Sequence, residues 1–244
     1  MITDSQFVTR SVQESFRSRK EISIRQFIEG KRLFFAGKRV MDMVISAMVV
    51  LLLLSWLTPL LGVLIKLSSR GPVFFLQKRV GRFGRTFTCI KFRTMIVNDD
   101  ADSRQATADD RRITRVGRFL RNSNIDELPQ FFNVLLGDMS IVGPRPHMHA
   151  DCRSFSTIIP RYKMRTLVKP GITGLSQVKG FHGQVISYEC IFNRYQWDVF
   201  YVRNASFRYD CWIMAATAWQ RAVFMSGVLA KKKKEKEATV SQPL

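Results

Sequence analysis

Residues 43–65 read MVISAMVVLLLLSWLTPLLGVLI, and none of them is charged. A helix that spans a bilayer needs roughly 20 consecutive apolar residues, which this stretch supplies. The alternative is a helix buried in the core of a soluble protein, but few such helices are apolar on every face. The stretch therefore predicts a helix that is inserted into a membrane.

The flanks of this helix bear on how it enters the membrane. They are basic on both sides, at Lys31, Arg32, Lys38 and Arg39 before it and at Lys66, Arg70, Lys78, Arg79, Arg82 and Arg85 after it. Because positive residues favour the cytoplasmic side, both ends favour the same side. Within the helix, Pro59 lacks a backbone N–H and disfavours a helical conformation at Thr58. A re-entrant hairpin over about 40–66, broken at Thr58-Pro59, satisfies both observations, and the alternative is a straight crossing with a tolerated proline kink.

The composition is strongly basic, with 39 Lys and Arg against 19 Asp and Glu and a net charge of +20. Such an excess predicts an anionic partner, which is nucleic acid, an anionic membrane surface or a phosphate-bearing substrate. No nucleic acid is expected, because the sequence has no zinc-finger or RNA-binding aromatic motif and such a protein has no use for the apolar segment. The four cysteines and three histidines lack the spacing of a structural zinc site, and His147 and His149 are predicted to lie on the surface.

Weaker patterns extend the predicted fold to the rest of the chain. Two β-rich runs around Gly81-Arg-Phe-Gly84 predict a β-hairpin over 73–92. Apolar residues at helical spacing among arginines predict an amphipathic helix over 111–121, either in the plane of the membrane or on the protein's own core. The stretch 207–229 carries the aromatic anchors of an interfacial helix.

These patterns define the expected organisation. We expect an α/β fold, namely a compact membrane-associated domain over 38–229 with a re-entrant membrane helix hairpin, interfacial amphipathic helices and a small β-hairpin. A charged N-terminal extension at 1–37 precedes it. A basic tail at 230–244 follows it and is predicted to be disordered and to touch anionic lipids.

The strongest indication of chemistry is the stretch RNSNIDELPQFFNVLLG at 121–137. Asn124 and Glu127 have the spacing of a helix capping box, which places the adjacent carboxylates of Asp126 and Glu127 in a first helical turn. Acids in a first turn are common for structural reasons alone. Beside arginines, however, two adjacent carboxylates can divide the work of attacking a phosphorus atom and holding a divalent cation.

The triplet Pro144-Arg145-Pro146 is a second candidate for a functional role. The two prolines fix the backbone around Arg145, so its guanidinium is held ready for a phosphate. Further along, 168–178 is predicted to be a turn-rich loop that offers backbone N–H groups. Each of these two signals is weak when taken alone.

Six short motifs, taken together, resemble those of one family. They are Lys38-Arg-Val-Met-Asp42, Lys91-Phe-Arg-Thr-Met95, Asp126-Glu-Leu-Pro-Gln130, Gly137-Asp-Met-Ser140, Gly143-Pro-Arg-Pro146 and Lys169-Pro-Gly-Ile-Thr-Gly174. In this order and spacing, over about 38–224, they are similar to the bacterial sugar transferases, the monotopic polyprenyl-phosphate phosphoglycosyl transferases. The size and the stretch Gly180-Phe-His-Gly183 resemble members that start exopolysaccharide repeat units with glucose or galactose.

The resemblance implies a two-step reaction at the cytoplasmic face of the bacterial inner membrane, with the membrane helix broken at Thr58-Pro59. Asp126 would attack the β-phosphate of a UDP-sugar, release UMP and pass the sugar phosphate to undecaprenyl phosphate. Glu127 would bind Mg²⁺ together with Asp126 and deprotonate the acceptor. The phosphate-binding residues would be Arg145, Arg121, Arg93, Pro144 and Pro146.

A rival function is a non-enzymatic basic membrane scaffold of a polysaccharide assembly complex. It would explain the apolar segment and the basic tail, but not the carboxylates of Asp126 and Glu127 beside Arg121 and Arg145. The sequence does not identify the sugar, because selectivity among hexose isomers rests on a few hydrogen bonds. It also leaves open whether the chain forms a homo-oligomer.

Overall fold

The computed structural model describes residues 30–98, 107, 110–181 and 188–240. Helices dominate this mixed α/β fold, and two small sheets accompany them. Of the predicted extension at 1–37, residues 1–29 lie outside the described part, as do His182 and Gly183. The rest of the extension enters the first helix, and two of its phenylalanines pack against the main core, so the domain begins before residue 38.

The apolar segment belongs to one long helix over Arg32–Ser68. It consists of α1 (Arg32–Val49), a π-helical turn (Val50–Leu54) and α2 (Ser55–Ser68). In the part of the chain that the structure describes, this is the one helix long and apolar enough to cross a membrane. One stripe of it is buried against the domain, and large apolar side chains such as Leu51 project outward on the other side.

The helix is not interrupted at Thr58-Pro59, where the sequence predicts a break. Proline removes one hydrogen bond, and its ring crowds the carbonyl group four residues earlier, which is that of Ser55. Just upstream, the backbone N–H of Ser55 donates to the carbonyl oxygen of Val50, five residues back, which defines the π turn. A change of hydrogen-bond pattern before the proline therefore replaces the predicted break at the proline.

Polar residues near the start of α1 are buried against the rest of the protein. The ammonium of Lys38 lies 2.5 Å from a carboxylate oxygen of Asp210, whose other oxygen accepts a hydrogen bond from the Tyr201 hydroxyl at 2.7 Å. A carboxylate oxygen of Asp42 accepts from the backbone N–H of Ile141 at 3.1 Å. Because buried charges need such partners, the first of the six motifs fastens the helix to the domain.

The predicted β-hairpin is confirmed. Its strands β1 (Phe74–Val80) and β2 (Thr86–Phe92) pair antiparallel along their full length. At the tip, Phe83 and Gly84 have positive φ angles of 56° and 78°, a conformation that glycine adopts without strain.

A second sheet pairs two short strands in parallel, β3 (Ser140–Val142) and β4 (Gly171–Thr173). The sequence predicts a turn-rich loop for the second of them. Gly143 and Gly171 approach so closely that a Cβ added at Gly171 would lie 2.1 Å from the Gly143 nitrogen. Glycine is therefore required where these two motifs meet.

The predicted amphipathic helix is α3 (Arg115–Ser123), and its apolar face packs on the protein's own core. Leu120 is fully buried in a cluster with Leu61 and Ile65 of α2. Of the two predicted locations, the plane of the membrane and the protein's own core, the buried face of α3 therefore occupies the core.

The remaining helices complete the domain. They are α4 (Gln130–Leu136), α5 (His149–Ile158), α6 (Leu175–Val178), α7 (Tyr188–Asn204) and α8 (Phe207–Val240), with 3₁₀ turns at Ile125–Glu127 and Tyr162–Leu167. The exposed Trp212 and Trp219 of α8 suit an interfacial helix. The backbone is helical through Val240, which includes part of the predicted tail, and lysine, glutamate and alanine are strong helix formers.

Candidate active site

A cavity of about 850 Å³ is lined by the β1–β2 hairpin, the turn Ile125–Glu127 and the segment that follows β3. Its volume suits a small-molecule substrate, since such sites usually measure roughly 300–1,000 Å³. Basic side chains dominate the wall, and they are Arg79, Lys91, Arg93, Arg121, Arg145, Arg194 and Arg221. The acidic ones are Asp126, Glu127 and Asp151. Such a wall favours an anionic ligand.

The Asp126-Glu127 pair lies in a tight turn rather than at the start of a regular helix. The helix α3 ends at Ser123, and Asn124 adopts a left-handed conformation with φ 59°, which asparagine tolerates better than most residues. The Asn124 side chain caps no N–H group, so the predicted capping box is not formed. The helix α4 begins only after Pro129, and both carboxylates of the turn line the cavity.

Glu127 is buried and doubly paired. Its Oε1 accepts hydrogen bonds from Lys91 Nζ at 2.6 Å and from Arg145 Nη2 at 2.6 Å, and its Oε2 accepts from Arg145 Nη1 at 3.0 Å. Burial alone would raise the pKa of this carboxyl, but the guanidinium and the ammonium hold the pKa well below its usual range. Glu127 is therefore ionised at neutral pH and fixes the positions of two cations.

Asp126 has the opposite environment. It is partly buried, and no side chain among the described residues donates a hydrogen bond to its carboxylate. Burial, followed by the negative charge of Glu127, raises the pKa of Asp126 to about 6, although nearby cations pull it down. The carboxylate is thus mostly ionised at neutral pH without a direct partner. Such a group can attack an electrophilic phosphorus atom.

The backbone of Pro144-Arg145-Pro146 is held by a hydrogen bond at each residue. Pro144 O accepts from the Gly171 N–H at 3.0 Å, and Arg145 O accepts from Arg165 Nη2 at 2.6 Å. Pro146 O accepts from Arg79 Nη1 at 3.2 Å. Pro146 lines the cavity and Pro144 does not. The guanidinium of Arg145 is thereby presented to Glu127 from a fixed backbone.

The other two arginines that were predicted to bind phosphate differ in their contacts. Arg121 lines the cavity, and its Nε donates to the Thr94 hydroxyl at 2.7 Å, so it stays a candidate phosphate ligand. Arg93 instead binds the end of α2, where its Nη2 donates to Ser69 O at 2.7 Å and its Nη1 donates to Arg70 O. Arg93 also lines the cavity, but two nitrogens of its guanidinium already satisfy carbonyl groups at a helix terminus, so its phosphate-binding role stays a prediction.

The two neighbouring histidines differ in burial. His149 is partly exposed, and its Nε2 lies 3.0 Å from Thr86 Oγ1. His147 is only 5% exposed, so the prediction of a surface position is wrong for it. Its ring meets Phe155 edge-on, and its Nδ1 lies 2.6 Å from the Tyr162 hydroxyl. Aromatic residues further along the chain bury it, and no local pattern signals them.

Sequence reasoning missed residues that support the site. Lys91 is the first residue of one of the six motifs, and this membership is the sequence signal for its contact with Glu127. Arg165 forms a buried ion pair with Asp198, with Nη2 2.7 Å from Oδ2, and Ser176 donates to the other oxygen of Asp198 at 2.8 Å. This cluster holds the carbonyl oxygen of Arg145, but its members are far apart in sequence, so spacing gives no signal for it.

The carboxylates of Asp126 and Glu127 suit Mg²⁺ only together with a phosphate-bearing ligand. Within the described ranges, no group of three or more His, Cys, Asp or Glu side chains could hold a metal ion. Mg²⁺ is commonly bound through one or two carboxylates plus substrate phosphates. The unpaired carboxylate of Asp126 meets that requirement directly. Glu127 is paired with Lys91 and Arg145, so it meets the requirement less directly.

The sequence matches a known family. The model of the family described as bacterial sugar transferase matches residues 33–224, which is most of the chain. The protein therefore belongs to that family, as its six motifs predict.

Several curated proteins resemble the chain over the same region. It is 44% identical over 201 residues to a UDP-glucose:undecaprenyl-phosphate glucose-1-phosphate transferase of Xanthomonas campestris pv. campestris. The matched region covers 81% of this chain and 41% of that protein. It is also 44% identical over 181 residues to a UDP-N-acetylgalactosamine-undecaprenyl-phosphate N-acetylgalactosaminephosphotransferase of Aeromonas hydrophila. This matched region covers 74% of this chain and 42% of that protein.

A third relative is the exopolysaccharide production protein PSS of Rhizobium leguminosarum bv. phaseoli. The two chains are 40% identical over 185 residues, which covers 74% of this chain and 92% of the relative. The chain thus spans about two fifths of the length of the first two relatives and nearly the whole of the third.

Proposed function

We propose that this protein transfers a hexose 1-phosphate, that of glucose or galactose, from a UDP-sugar to undecaprenyl phosphate and so initiates exopolysaccharide repeat units. The observation that carries the proposal is the unpaired carboxylate of Asp126 in a basic cavity, beside an ionised Glu127 that holds Arg145. The names of the relatives support the reaction class, and two relatives of equal identity are named for different sugars.

In the first step, a carboxylate oxygen of Asp126 attacks the β-phosphorus of the UDP-sugar. The bond between that phosphorus and the oxygen that bridges to the α-phosphate breaks, and UMP leaves with the oxygen. The sugar phosphate remains on Asp126 as a covalent acyl phosphate. The guanidinium of Arg145 stabilises the charge on the phosphoryl oxygens.

In the second step, an oxygen of undecaprenyl phosphate attacks the same phosphorus, and the bond to the Asp126 oxygen breaks. This restores the carboxylate and yields a sugar-diphospho-lipid. The covalent stage lets a soluble substrate and a lipid substrate use one site in turn. Because its pKa is held low, Glu127 is a poor proton acceptor, and we assign it to holding cations rather than to deprotonating the acceptor.

We expect Mg²⁺ in this site, held by Asp126 and Glu127 together with the diphosphate of the substrate. When bound, the ion supplies positive charge that neutralises the phosphate oxygens. The chain's own cations, Arg145, Arg121 and Lys91, orient the phosphates around the attacking carboxylate.

We also propose that the helix Arg32–Ser68 enters the bilayer from the cytoplasmic face of the inner membrane and returns to that face, among anionic lipids. Both of its ends contact the same domain. Lys31 Nζ donates to Ala205 O at 2.7 Å just before the helix, and Arg93 binds Ser69 O just after it. A straight crossing of the roughly 30 Å bilayer core would put these flanks on opposite sides, where a single domain could not hold both. The π turn at Val50–Leu54 is the natural position for a bend.

This topology predicts that cysteines introduced at Gly30 and Ser69 are labelled from the same side of the membrane. The background replaces the native cysteines by serine, and the probe is a membrane-impermeant maleimide. We expect labelling of both positions in inside-out vesicles and of neither in spheroplasts. Labelling of the two positions from opposite sides would make the helix a straight crossing.

The reaction is tested by following UMP release from a panel of UDP-sugars by purified protein in nanodiscs, with Mg²⁺ and undecaprenyl phosphate. We expect release with UDP-glucose or UDP-galactose, and transfer of a radiolabelled sugar phosphate to the lipid. If no UDP-sugar yields UMP, the proposal fails and the non-enzymatic membrane scaffold becomes the better account.

Arg145→Lys is expected to lower kcat/KM for UMP release by roughly 10- to 100-fold although it keeps the charge. The guanidinium donates two hydrogen bonds to Glu127 in a fork, a geometry that a lysine ammonium cannot reproduce for a carboxylate or a phosphate. The matched control is Arg118→Lys, on the exposed side of α3 and outside the cavity. Equal rates for the Arg145 variant and the wild type would show that the reaction does not depend on the forked geometry of the guanidinium.

A further inference from the structure

One ring in the cavity wall has a buried polar atom without a partner. It is the imidazole of His147, whose Nε2 is buried and has no hydrogen-bond partner within the described residues. A buried polar atom left unpaired costs free energy, so native proteins rarely keep one. Since His147 lines the cavity two residues after Arg145, a ligand in the cavity is the available partner.

The rest of the ring is fixed in place. The Tyr162 hydroxyl lies 2.6 Å from Nδ1, and Phe155 meets the ring edge-on at 5.7 Å. Tyr195 stacks on Tyr162 at 5.7 Å. On the backbone, His147 O accepts from the Val80 N–H at 3.0 Å, at the end of β1. The Nε2 atom is therefore held at one point of the wall rather than swinging between positions.

The contact with Tyr162 decides which ring nitrogen carries the proton. If the phenol donates to Nδ1, the proton sits on Nε2 and only that N–H lacks a partner. If Nδ1 donates instead, both the phenol hydrogen and the Nε2 lone pair are left unpaired in the interior, which costs more. Burial, reinforced by the charges of nearby arginines, holds the pKa of His147 well below its usual range, so the ring is neutral. His147 thus lines the cavity and carries a neutral N–H donor that has no partner among the described residues.

The position of His147 in the cavity indicates which part of a substrate it can contact. The strand β1 begins at Phe74, which packs in the cluster around Leu54 and Leu61 of the long helix, and ends at Val80 beside His147. At about 3.3 Å per residue this strand spans roughly 20 Å. His147 therefore lies along the cavity away from the membrane helix, on the side that we assign to the soluble donor substrate.

The short distance from Arg145 indicates which group of the donor substrate His147 contacts. A residue before a proline is restricted to extended conformations, so Arg145 and His147 lie roughly 7 Å apart along the chain, and both line the cavity. A phosphate held by Arg145 places the hexose ring attached to it within reach of His147. Phosphate oxygens are better served by the arginines, because charge-assisted hydrogen bonds are the stronger ones. A neutral donor suits a neutral hydroxyl group.

We propose that the Nε2–H of His147 donates a hydrogen bond to the C4 hydroxyl group of the hexose in the donor substrate, where glucose and galactose differ in configuration, and thereby helps to select the sugar. Tyr162 is the positioning residue that fixes the proton on Nε2. The proposal rests on the proposed function. A site built to hydrogen-bond a substrate hydroxyl discriminates strongly against a sugar that cannot offer it, because the protein group is then left unpaired.

The test compares His147→Phe with the wild type on UDP-glucose and UDP-galactose. For the preferred sugar, kcat/KM of UMP release should fall roughly 10- to 100-fold, as expected for the loss of one hydrogen bond in a buried site. The other sugar should lose much less, so the selectivity ratio falls. Inhibition by the product UMP should stay unchanged, because UMP carries no hexose. The matched control His149→Phe, outside the cavity wall, should keep both kcat/KM and selectivity.

Two further variants distinguish loss of the hydrogen bond from His147 from a general loss of folding. His147→Gln places an amide N–H near the position of Nε2 and should recover part of the selectivity, including when the phenylalanine variant folds poorly. Tyr162→Phe removes the hydroxyl that sets the tautomer and should lower selectivity in the same direction. Combined with His147→Phe, it should add little further loss, because the two residues act as one unit.

Unchanged selectivity in His147→Phe would overturn the proposal. So would an equal loss for both sugars combined with weaker inhibition by UMP, which would place the contact on the nucleotide. Failure of the wild-type protein to release UMP from any UDP-sugar is a different result, since it removes the proposed function before any variant is compared.

Discussion

Asp126→Asn is expected to abolish turnover while the protein stays folded and becomes at least as stable as the wild type. An amide cannot form the acyl phosphate, so UMP release should fall by on the order of 10⁴-fold or more, the scale at which loss of a covalent nucleophile is felt. The fold should tolerate the change, because no described side chain donates a hydrogen bond to this carboxylate.

The stability part of this expectation follows from the raised pKa. Burial and the charge of Glu127 raise the pKa of Asp126 from 3.8 to about 6 in the folded protein. The folded state thus binds this proton more tightly than the unfolded state does, so ionisation of Asp126 lowers stability as the pH rises from 3.8 to about 6. Asparagine carries no charge at any pH. In EDTA, its Tm advantage over the wild type should be full above about pH 6 and should disappear towards pH 3.8.

These expectations are checked by UMP-release assays and by thermal unfolding in nanodiscs at several pH values. Added Mg²⁺ should raise the Tm of the wild type at neutral pH more than that of Asp126→Asn, since the variant lacks one of the two carboxylates. Glu189→Gln, an exposed carboxylate on α7, is the control and should change neither quantity. Near wild-type UMP release from Asp126→Asn would exclude Asp126 as the nucleophile.

The elements that the sequence predicts well are those whose causes are local. The hairpin over Phe74–Phe92 follows from two β-rich runs around a glycine turn, and α3 follows from apolar residues at helical spacing. The long helix follows from an uninterrupted apolar run. The carboxylates of Asp126 and Glu127 and the guanidinium of Arg145 belong to short motifs, and the structure brings all three to one cavity.

The elements that the sequence does not predict depend on distant partners. Strands β3 and β4 have three residues each, too few to show alternation, and they pair across a long stretch of chain. Phe155 and Tyr162 bury His147, and the residues next to His147 in the sequence give no sign of these contacts. Nothing in the sequence around Arg93 distinguishes it from the other arginines, because its contact with the end of α2 forms only in the folded protein. In each case the physical cause is a tertiary contact, so no window of sequence contains it.

Glu127→Gln is expected to lose stability as well as activity, in contrast to the substitution next to it. The carboxylate of Glu127 neutralises Lys91 and Arg145, and a neutral amide would leave these two cations side by side in a largely buried site. Breaking such a pair costs about 2–5 kcal/mol. Because the pKa of Glu127 is held well below 4.5, the stabilisation is complete above that pH and is lost as the pH falls through the lower folded value.

The measurement is the free energy of unfolding in detergent at neutral pH, together with UMP release. The double variant Glu127→Gln/Lys91→Met removes one of the two unpaired cations, so it should recover part of the stability and none of the activity. A Glu127→Gln protein as stable as the wild type would show that Lys91 and Arg145 do not depend on this carboxylate. Undiminished UMP release would remove Glu127 from the mechanism. The expected outcome is that two adjacent carboxylates respond in opposite ways, since Asp126 is kept unpaired for reaction at a cost in stability, whereas Glu127 is paired and supports the site that surrounds it.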